Sequence, residues 1–315
     1  YDFVDDDSQT VGFLDLPDLD ADHVMNAVVD RFSRLDDDAV LTAYCTTLDA
    51  AGLRTLAGEP MQGGFLEALD AAFAAERVAE GEGRGLPFCG GWAILLGYEL
   101  AGEIEPRLRG RQHPSPPGPP MAIALRCHGA VIHDHRNGRS AIACEDAHAD
   151  AMQRIAIDCK AASAGTALAA ALPSFALEED APAAFLDGVA RIHEWLAAGD
   201  VFQVNLSRGW RARPQAPLSL PALYAALRAA NPAPFAGLFT QPGWAVASSS
   251  PERLLSLQGR RIETRPIAGT RARSGDDADD RASIAELIAH PKERAEHVML
   301  IDLERNDLGR VCEPG

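Results

Sequence analysis

The densest concentration of chemically useful side chains is PKERAEHVMLIDLERNDLG, residues 291–309, where Glu293 and Glu296 stand three apart. On a helix that spacing puts both carboxylates on one face. Like charges so close are cheap in solvent and expensive in a cleft unless a cation offsets them. Mg2+ is suited to the task, because it accepts one or two carboxylates together with waters and an anionic ligand. Spacing alone leaves two readings open, a solvated acidic face or a metal site. Arg294, Asp302, Arg305 and Asp307 offer ordinary ion pairs along the same helix. Upstream, SSSPERLL (248–255) places Glu252 beside Arg253, and its simplest reading is an ion-pair partner of Arg253 or Arg265. ETRPIAGTRAR (263–273) carries Gly269 and Thr270, and a glycine there permits close backbone approach to a ligand.

Taken together, four segments in order, GDVFQVNLSRGW (199–210), SSSPERLL, ETRPIAGTRAR and KERAEHVMLIDLERNDLGRV, resemble the signature motifs of the chorismate-utilising enzymes, including anthranilate, aminodeoxychorismate, isochorismate and salicylate synthases. The resemblance is close from about Phe185 to Gly315 and looser at LPFCGGWAILLGYELAGEIEP; the first 80 residues carry no motif. It implies that Glu296, with Glu293, holds Mg2+ against the ring carboxylate of chorismate. The backbone at Gly269 and Thr270 would cradle the substrate. Glu252 would be the general acid for the departing 4-hydroxyl, a role needing a protonated carboxyl. The water-using members carry a lysine where this chain has Gln203, and a glutamine amide is no general base near neutral pH, so the resemblance favours ammonia as nucleophile.

Among ammonia users, Asn205, Glu304 and GGWAILLGYELAG resemble aminodeoxychorismate synthase component I, which implies a glutamine amidotransferase partner. Position 268 departs from that pattern: PIAGT has Ala268 where the family's PIKGT lysine attacks the ring, and alanine is no nucleophile. A variant lacking the lysine is the leading expectation. The alternatives are anthranilate synthase component I and a catalytically inactive ligand-binding subunit. Some relatives also bind tryptophan against a segment like NPAPFAG, which makes Pro234, Phe235 and Ala236 candidate contacts, with a plain packed turn as the alternative. The family's GSxTGAPK-type segment and second pair of metal-binding glutamates do not occur before Gly315. Either the protein continues beyond it or the chain is a fragment, inactive alone.

Composition sets the frame for these residues. With 315 residues, 47% hydrophobic and 24% charged, the chain can bury one large core or two modest ones. A net charge of −17 and a pI near 4.9 disfavour nucleic acid and anionic membrane surfaces as partners. No run reaches about 18 apolar residues, and YDFVDDDSQT lacks the features of a secretory signal, so a cytoplasmic protein is expected. The six cysteines, 45, 89, 127, 144, 159 and 312, show no zinc-ligand spacing and fit a reducing compartment, Cys89 and Cys312 being read as small packing side chains.

The elements that must position the motifs follow from periodicity. Amphipathic helices are expected over Ala21–Leu35 and Phe65–Val78, and a buried strand within GGWAILL. HPSPPGPP (113–120) reads as a loop. MAIALRC, AVIHDHR and SAIACE read as successive strands, the last two joined at Asn137 and Gly138. The stretch 159–174 reads as a weak helix or a separating loop. A helix runs from Pro182 to a left-handed cap at Gly199, VFQVNLSRGWRA reads as a strand, and PALYAALRAAN as a helix with Pro221 in its first turn. Three or four strands follow, joined at PG and QGR. GDDADD reads as an acidic loop before helices over Arg281–Ala289 and Pro291–Leu303. By resemblance the fold is α+β, two large antiparallel β-sheets packed as a sandwich with flanking helices, residues 1–165 forming an N-terminal portion and 182–315 the chorismate-binding portion.

Overall fold

In the computed structural model, residues 11–16, 46–49, 52–55, 58–76, 86–88, 90–109, 118–163 and 171–313 are described. The helix expected over Ala21–Leu35, Cys45, Cys89 and most of the proline-rich loop lie outside them.

Strands β1 (Val11–Leu16), β2 (Thr46–Asp49) and β3 (Gly52–Thr55) lead to helix α1 (Phe65–Ala75). Strands β4 (Gly91–Leu96), β5 (Ala122–Cys127), β6 (Gly129–Asp134) and β7 (Arg139–Glu145) follow, then helix α2 (Ala149–Ser163). They build two antiparallel sheets, a four-stranded one in the order β3-β2-β5-β4 and a three-stranded one in the order β1-β7-β6. The Asn137 and Gly138 turn joins β6 to β7 as expected, with Gly138 at φ 69° and the Asn137 side chain accepting from the Arg139 N–H at 2.9 Å.

The alternation of side chains along β5 explains the packing. Ala122 and Ala124 point to one face, where they join Leu53, Phe65 and Leu100 in a core closed by α1. Ile123 and Leu125 point to the other, against Phe239 and Trp244. Helix α1 is fixed at its start by Glu103, whose carboxylate accepts from the N–H groups of Phe65 (2.9 Å) and Leu66 (3.1 Å), two donors with no partner inside the helix. A third cluster, Ile142, Ala156 and Cys159, packs α2 on β7, which makes the first part of 159–174 the end of a well-packed helix.

The rest of the described chain comprises β8 (Phe175–Glu179), helix α3 (Pro182–Ala198), β9 (Trp210–Pro214), helix α4 (Leu220–Ala230), strands β10 (Phe235–Gln241), β11 (Trp244–Ser250), β12 (Ser256–Gln258) and β13 (Arg261–Glu263), and helices α5 (Asp277–Ala289) and α6 (Pro291–Gly309). β8 pairs with β9, β10 with β11, and β12 with β13, all antiparallel. Helix α3 begins at Pro182 and ends on Gly199 at φ 78°, as its cap residues imply.

Three expectations are corrected. The strand expected over VFQVNLSRGWRA begins only at Trp210, as β9; residues 202–206 alternate apolar and polar, but 201–209 pair with no strand among the described residues, and Phe202 stands exposed. The apolar run GWAILL forms a strand, but an edge one, with Ile94 and Leu96 exposed. GDDADD is not a loop: Asp276 caps α5 by accepting from the N–H groups of Ala278 (2.8 Å) and Asp279 (3.2 Å). The acidic residues after it sit in the first turn, where the helix dipole favours negative charge. The fold is α+β, as expected.

Candidate active site

Three of the four motifs, SSSPERLL, ETRPIAGTRAR and KERAEHVMLIDLERNDLGRV, meet where the loop after β13 crosses helices α5 and α6. Gly269 adopts φ 76°, a left-handed conformation that favours glycine. It is also pressed against its neighbours: a Cβ at this position would lie 2.7 Å from Glu293 Oε2 and 2.8 Å from Leu287 Cδ1. Glu293 is therefore no solvated side chain; 18% of it is exposed, and its other oxygen accepts from Arg271 at 3.3 Å. Arg271 also grips Glu286 of α5 through two nitrogens, one at 3.0 Å, and donates to the Thr270 carbonyl at 2.9 Å. Two carboxylates around one guanidinium raise the Arg271 pKa above its already high value, the hydrogen bond it donates to Glu286 contributing most. The same bond holds Glu286 below the usual carboxylate range.

Glu252 joins this assembly through the backbone. It is not paired with Arg253 or Arg265; its Oε1 accepts from the Ile267 N–H at 2.8 Å, which fixes SPERLL one residue from Ala268 and two from Gly269. The two arginines go instead to Glu263, at 3.3 Å and 3.6 Å, and Arg261 reaches its other oxygen at 2.6 Å. Glu263 is the stronger competitor because it sits in β13 with all three cations around it. Arg273 pairs with Asp280 at 2.8 Å and lowers its pKa from the ordinary carboxylate value, tying the loop to the start of α5.

The structure thus brings Glu252, Ala268, Gly269, Thr270 and Glu293 into one chain of contacts. Glu296 lies one turn beyond Glu293, and its carboxylate has no hydrogen bond or ion pair among the described residues. Gln203 does not join them: it stands exposed in the irregular 201–209 segment. Pro234, Phe235 and Ala236 lie at the start of β10, where the Phe235 ring is half-exposed and the Arg253 guanidinium lies 6.0 Å from its centroid. On α6, Arg305 pairs with Asp302 at 2.5 Å, an ordinary helix ion pair.

Arg271, Glu286 and Glu263 escaped the sequence reading. ETRPIAGTRAR displayed them or their neighbours, but which of many charges would pair is set by the approach of α5, which spacing does not reveal. The donor set at Glu293 and Glu296 fits Mg2+: hard oxygens on one helix face, one carboxylate held by Arg271 and Gly269, the other unengaged.

A chain with this loop, these helices and these sheets falls in a defined class. Residues 31–315 match the chorismate binding enzyme family, and the chain belongs to it. It is 41% identical over 254 residues to anthranilate synthase component 1 of Streptomyces coelicolor, an alignment that takes in 73% of this chain and 48% of that one. To aminodeoxychorismate synthase component 1 of Bacillus subtilis it is 48% identical over 133 residues, 42% of this chain and 27% of that one. Its fold is that of the crystal structure of anthranilate synthase component I from Streptococcus pneumoniae, with a TM-score of 0.69 at 20% identity over 98% of this chain and 63% of that chain. The chain spans about half the length of the relatives it matches most extensively. No helix among the described residues is long and apolar enough to cross a membrane.

Proposed function

We propose that this chain supplies the chorismate-binding part of an aminodeoxychorismate synthase component I, which converts chorismate and ammonia to 4-amino-4-deoxychorismate with Mg2+. The observation that carries the chorismate reading is the close approach of Gly269 to Glu293, which sets a bare stretch of backbone beside a helix carboxylate. Glu293 and Glu296 would hold the ion, whose contribution is to offset the charge of the substrate carboxylate. Gly269 and Thr270 would line the ring. Glu252, anchored by the Ile267 N–H, would protonate the departing hydroxyl through its second oxygen. Residues 182–315 would be the catalytic portion and 1–165 the supporting one.

Asn205, Glu304 and GGWAILLGYELAG support the aminodeoxychorismate assignment, and Gln203 would favour ammonia, delivered by a glutamine amidotransferase subunit, over water. Pro234, Phe235 and Ala236 would offer an aromatic edge to a bound tryptophan. Ala268 supports a second reading, anthranilate synthase component I, because no lysine is present there to attack the ring; the 41% identity to the Streptomyces coelicolor protein supports the same reading.

The deciding experiment incubates the full-length protein with chorismate, Mg2+ and an ammonium salt, with and without aminodeoxychorismate lyase, and identifies the products by mass and fluorescence. 4-Aminobenzoate formed only with the lyase is the expected result. Anthranilate formed without it selects the second reading, and chorismate binding without turnover would mark a ligand-binding subunit. In the active protein, E252Q is expected to lower kcat by about 10²- to 10⁴-fold, the usual contribution of a general acid.

A further inference from the structure

His128, Glu145 and His148 converge at one end of the three-stranded sheet, where none of the motifs lies. Glu145 ends β7, and its main-chain N–H donates to the His128 carbonyl at 2.9 Å, locking the turn between β5 and β6 against the strand end. One carboxylate oxygen of Glu145 receives Arg126 at 2.6 Å. The other faces both imidazoles, His128 Nδ1 at 2.9 Å and His148 Nδ1 at 3.5 Å. One ligand atom from each of the three residues lies within 4.8 Å of the other two. The two measured separations bracket the roughly 3.4 Å edge of a tetrahedral site with bonds of about 2.0–2.2 Å.

Charge and burial point the same way. Arg126 is buried between Glu76 and Glu145, so one guanidinium faces two carboxylates and a negative charge is left over on the side of the histidines. His148 Nδ1 is buried without a hydrogen-bond partner. Gly90, at φ 121°, closes over the carboxylate so tightly that a Cβ there would fall 2.0 Å from Glu145 Oε1. Glu145 is thereby held from three sides, with one oxygen left for the two rings.

We propose that His128, Glu145 and His148 form a binding site for a borderline first-row divalent cation of the Zn2+ and Co2+ kind. Two imidazoles and one carboxylate with a fourth position open are a donor set for such ions, whereas Mg2+ takes oxygen ligands. Arg126 is the outer partner that orients the ligating carboxylate. The two rings stack, with centroids 3.6 Å apart and planes 17° from parallel, so an ion bound by both requires one ring to turn. His148, with 40% of its side chain exposed, has the room. The site is separate from Glu293 and Glu296 and does not depend on the chorismate reading.

The test titrates metal-free protein with Co2+, reading the visible absorption of a low-coordinate ion, and then displaces it with Zn2+ or with excess Mg2+. One equivalent is expected to bind, to yield to Zn2+ and to resist Mg2+. H148A and H128A should each weaken binding by about 10- to 100-fold or more, since loss of even an outer partner costs that much. H133A, which alters a separate histidine pair, His133 and His135, should bind as the parent does. Far-UV circular dichroism of H148A, altered at a half-exposed position, shows that the fold is kept. Binding untouched by H148A and H128A, binding abolished by H133A, or an absorption spectrum of a fully hydrated ion would each overturn the proposal. So would imidazole resonances that shift with pH but not with Zn2+, which would leave the cluster a proton site.

Discussion

Residues 52–163 and 171–313 are held together by different means. The first region has a core: Phe65, Ile123, Ile142, Cys144 and Cys159 are fully buried, and three apolar clusters use both faces of β5 and one face of β7. In the second, Pro221, Ala222, Tyr224 and Asp280 are the only buried side chains among the described residues, while Leu254, Ile288 and Val298 stand largely exposed. Order there comes from charged cross-links instead: Arg271 to Glu286 and Glu293, Arg273 to Asp280, and three arginines on Glu263. The region with the motifs is thus fixed by directional polar contacts, which set side-chain positions well but individually contribute little stability when exposed. The region without motifs supplies the burial.

The sharpest way to break this comparison is to remove apolar volume from each side. Phe65→Ala empties a fully buried position and is expected to destabilise by about 3–5 kcal/mol. Val298→Ala, at a position 65% exposed on α6, should stay within about 0.5 kcal/mol. Urea unfolding of both variants measures the contrast, and a comparable loss in V298A would show a hidden core around α6.

Gly269→Ala tests whether backbone conformation positions the second region. The left-handed φ alone costs about 1–2 kcal/mol, and the new Cβ must also push Glu293 aside. Gly259→Ala is the control, because φ is 57° there and nothing lies within 4 Å. Both variants should lose the left-handed contribution, G269A losing more through the clash with Glu293 and Leu287, and only G269A should weaken Mg2+ binding, read by calorimetry. Equal Mg2+ affinity in the two would remove Glu293 from the metal site.

The polar cross-links carry a pH signature. Glu286 is held below its ordinary 4.5 by Arg271, and Asp280 below its ordinary 3.8 by Arg273. A depressed carboxylate contributes stability that is fully present above the unfolded value and is lost as the pH falls through it towards the folded value. Unfolding of the second region should therefore set in below pH 4.5 and continue below 3.8, and high salt should advance it. Arg271→Gln should remove the upper part of that dependence. Circular dichroism across this range, at low and high salt, measures it; an acid response unchanged in R271Q would mean that the cross-link is not what holds α5 to the loop.

These differences also explain what the sequence displayed and what it hid. Helix α3 was legible from Pro182 to Gly199 because caps are local, and the β6–β7 hairpin because Asn137 and Gly138 are a local turn signal. Glu293 beside Glu296 was visible as a helix spacing, and the four motifs identified the family. Whether an apolar run is central or at an edge depends on its neighbours, which hides the edge position of GWAILL, and Phe202 to Leu206 alternates like a strand although no strand among the described residues pairs with it. The acidic residues after Asp276 looked like a loop because charge density alone does not reveal the cap that starts α5. His128 and Glu145, 17 residues apart, meet only through the antiparallel register of β6 and β7. A Glu-x-x-His step from Glu145 to His148 was the one local hint.

The smallest effect expected is a difference in thiol reactivity that reads the two regions separately. Burial pushes the Cys144 and Cys159 thiols up and closes them to solvent, and burial likewise raises Cys127, whereas Cys312 lies exposed beyond α6. A thiol must ionise and be reached to react. Iodoacetamide at neutral pH should therefore label Cys312 at once, with Cys144 and Cys159 labelled only as urea unfolds the core, each site followed by peptide mass. If labelling of Cys144 and Cys159 follows a single transition while Cys312 reacts throughout, residues 52–163 open as one cooperative unit. Labelling of Cys144 at the rate of Cys312 without denaturant would show that β7 opens locally and that the core of the first region is no firmer than the polar lattice of the second.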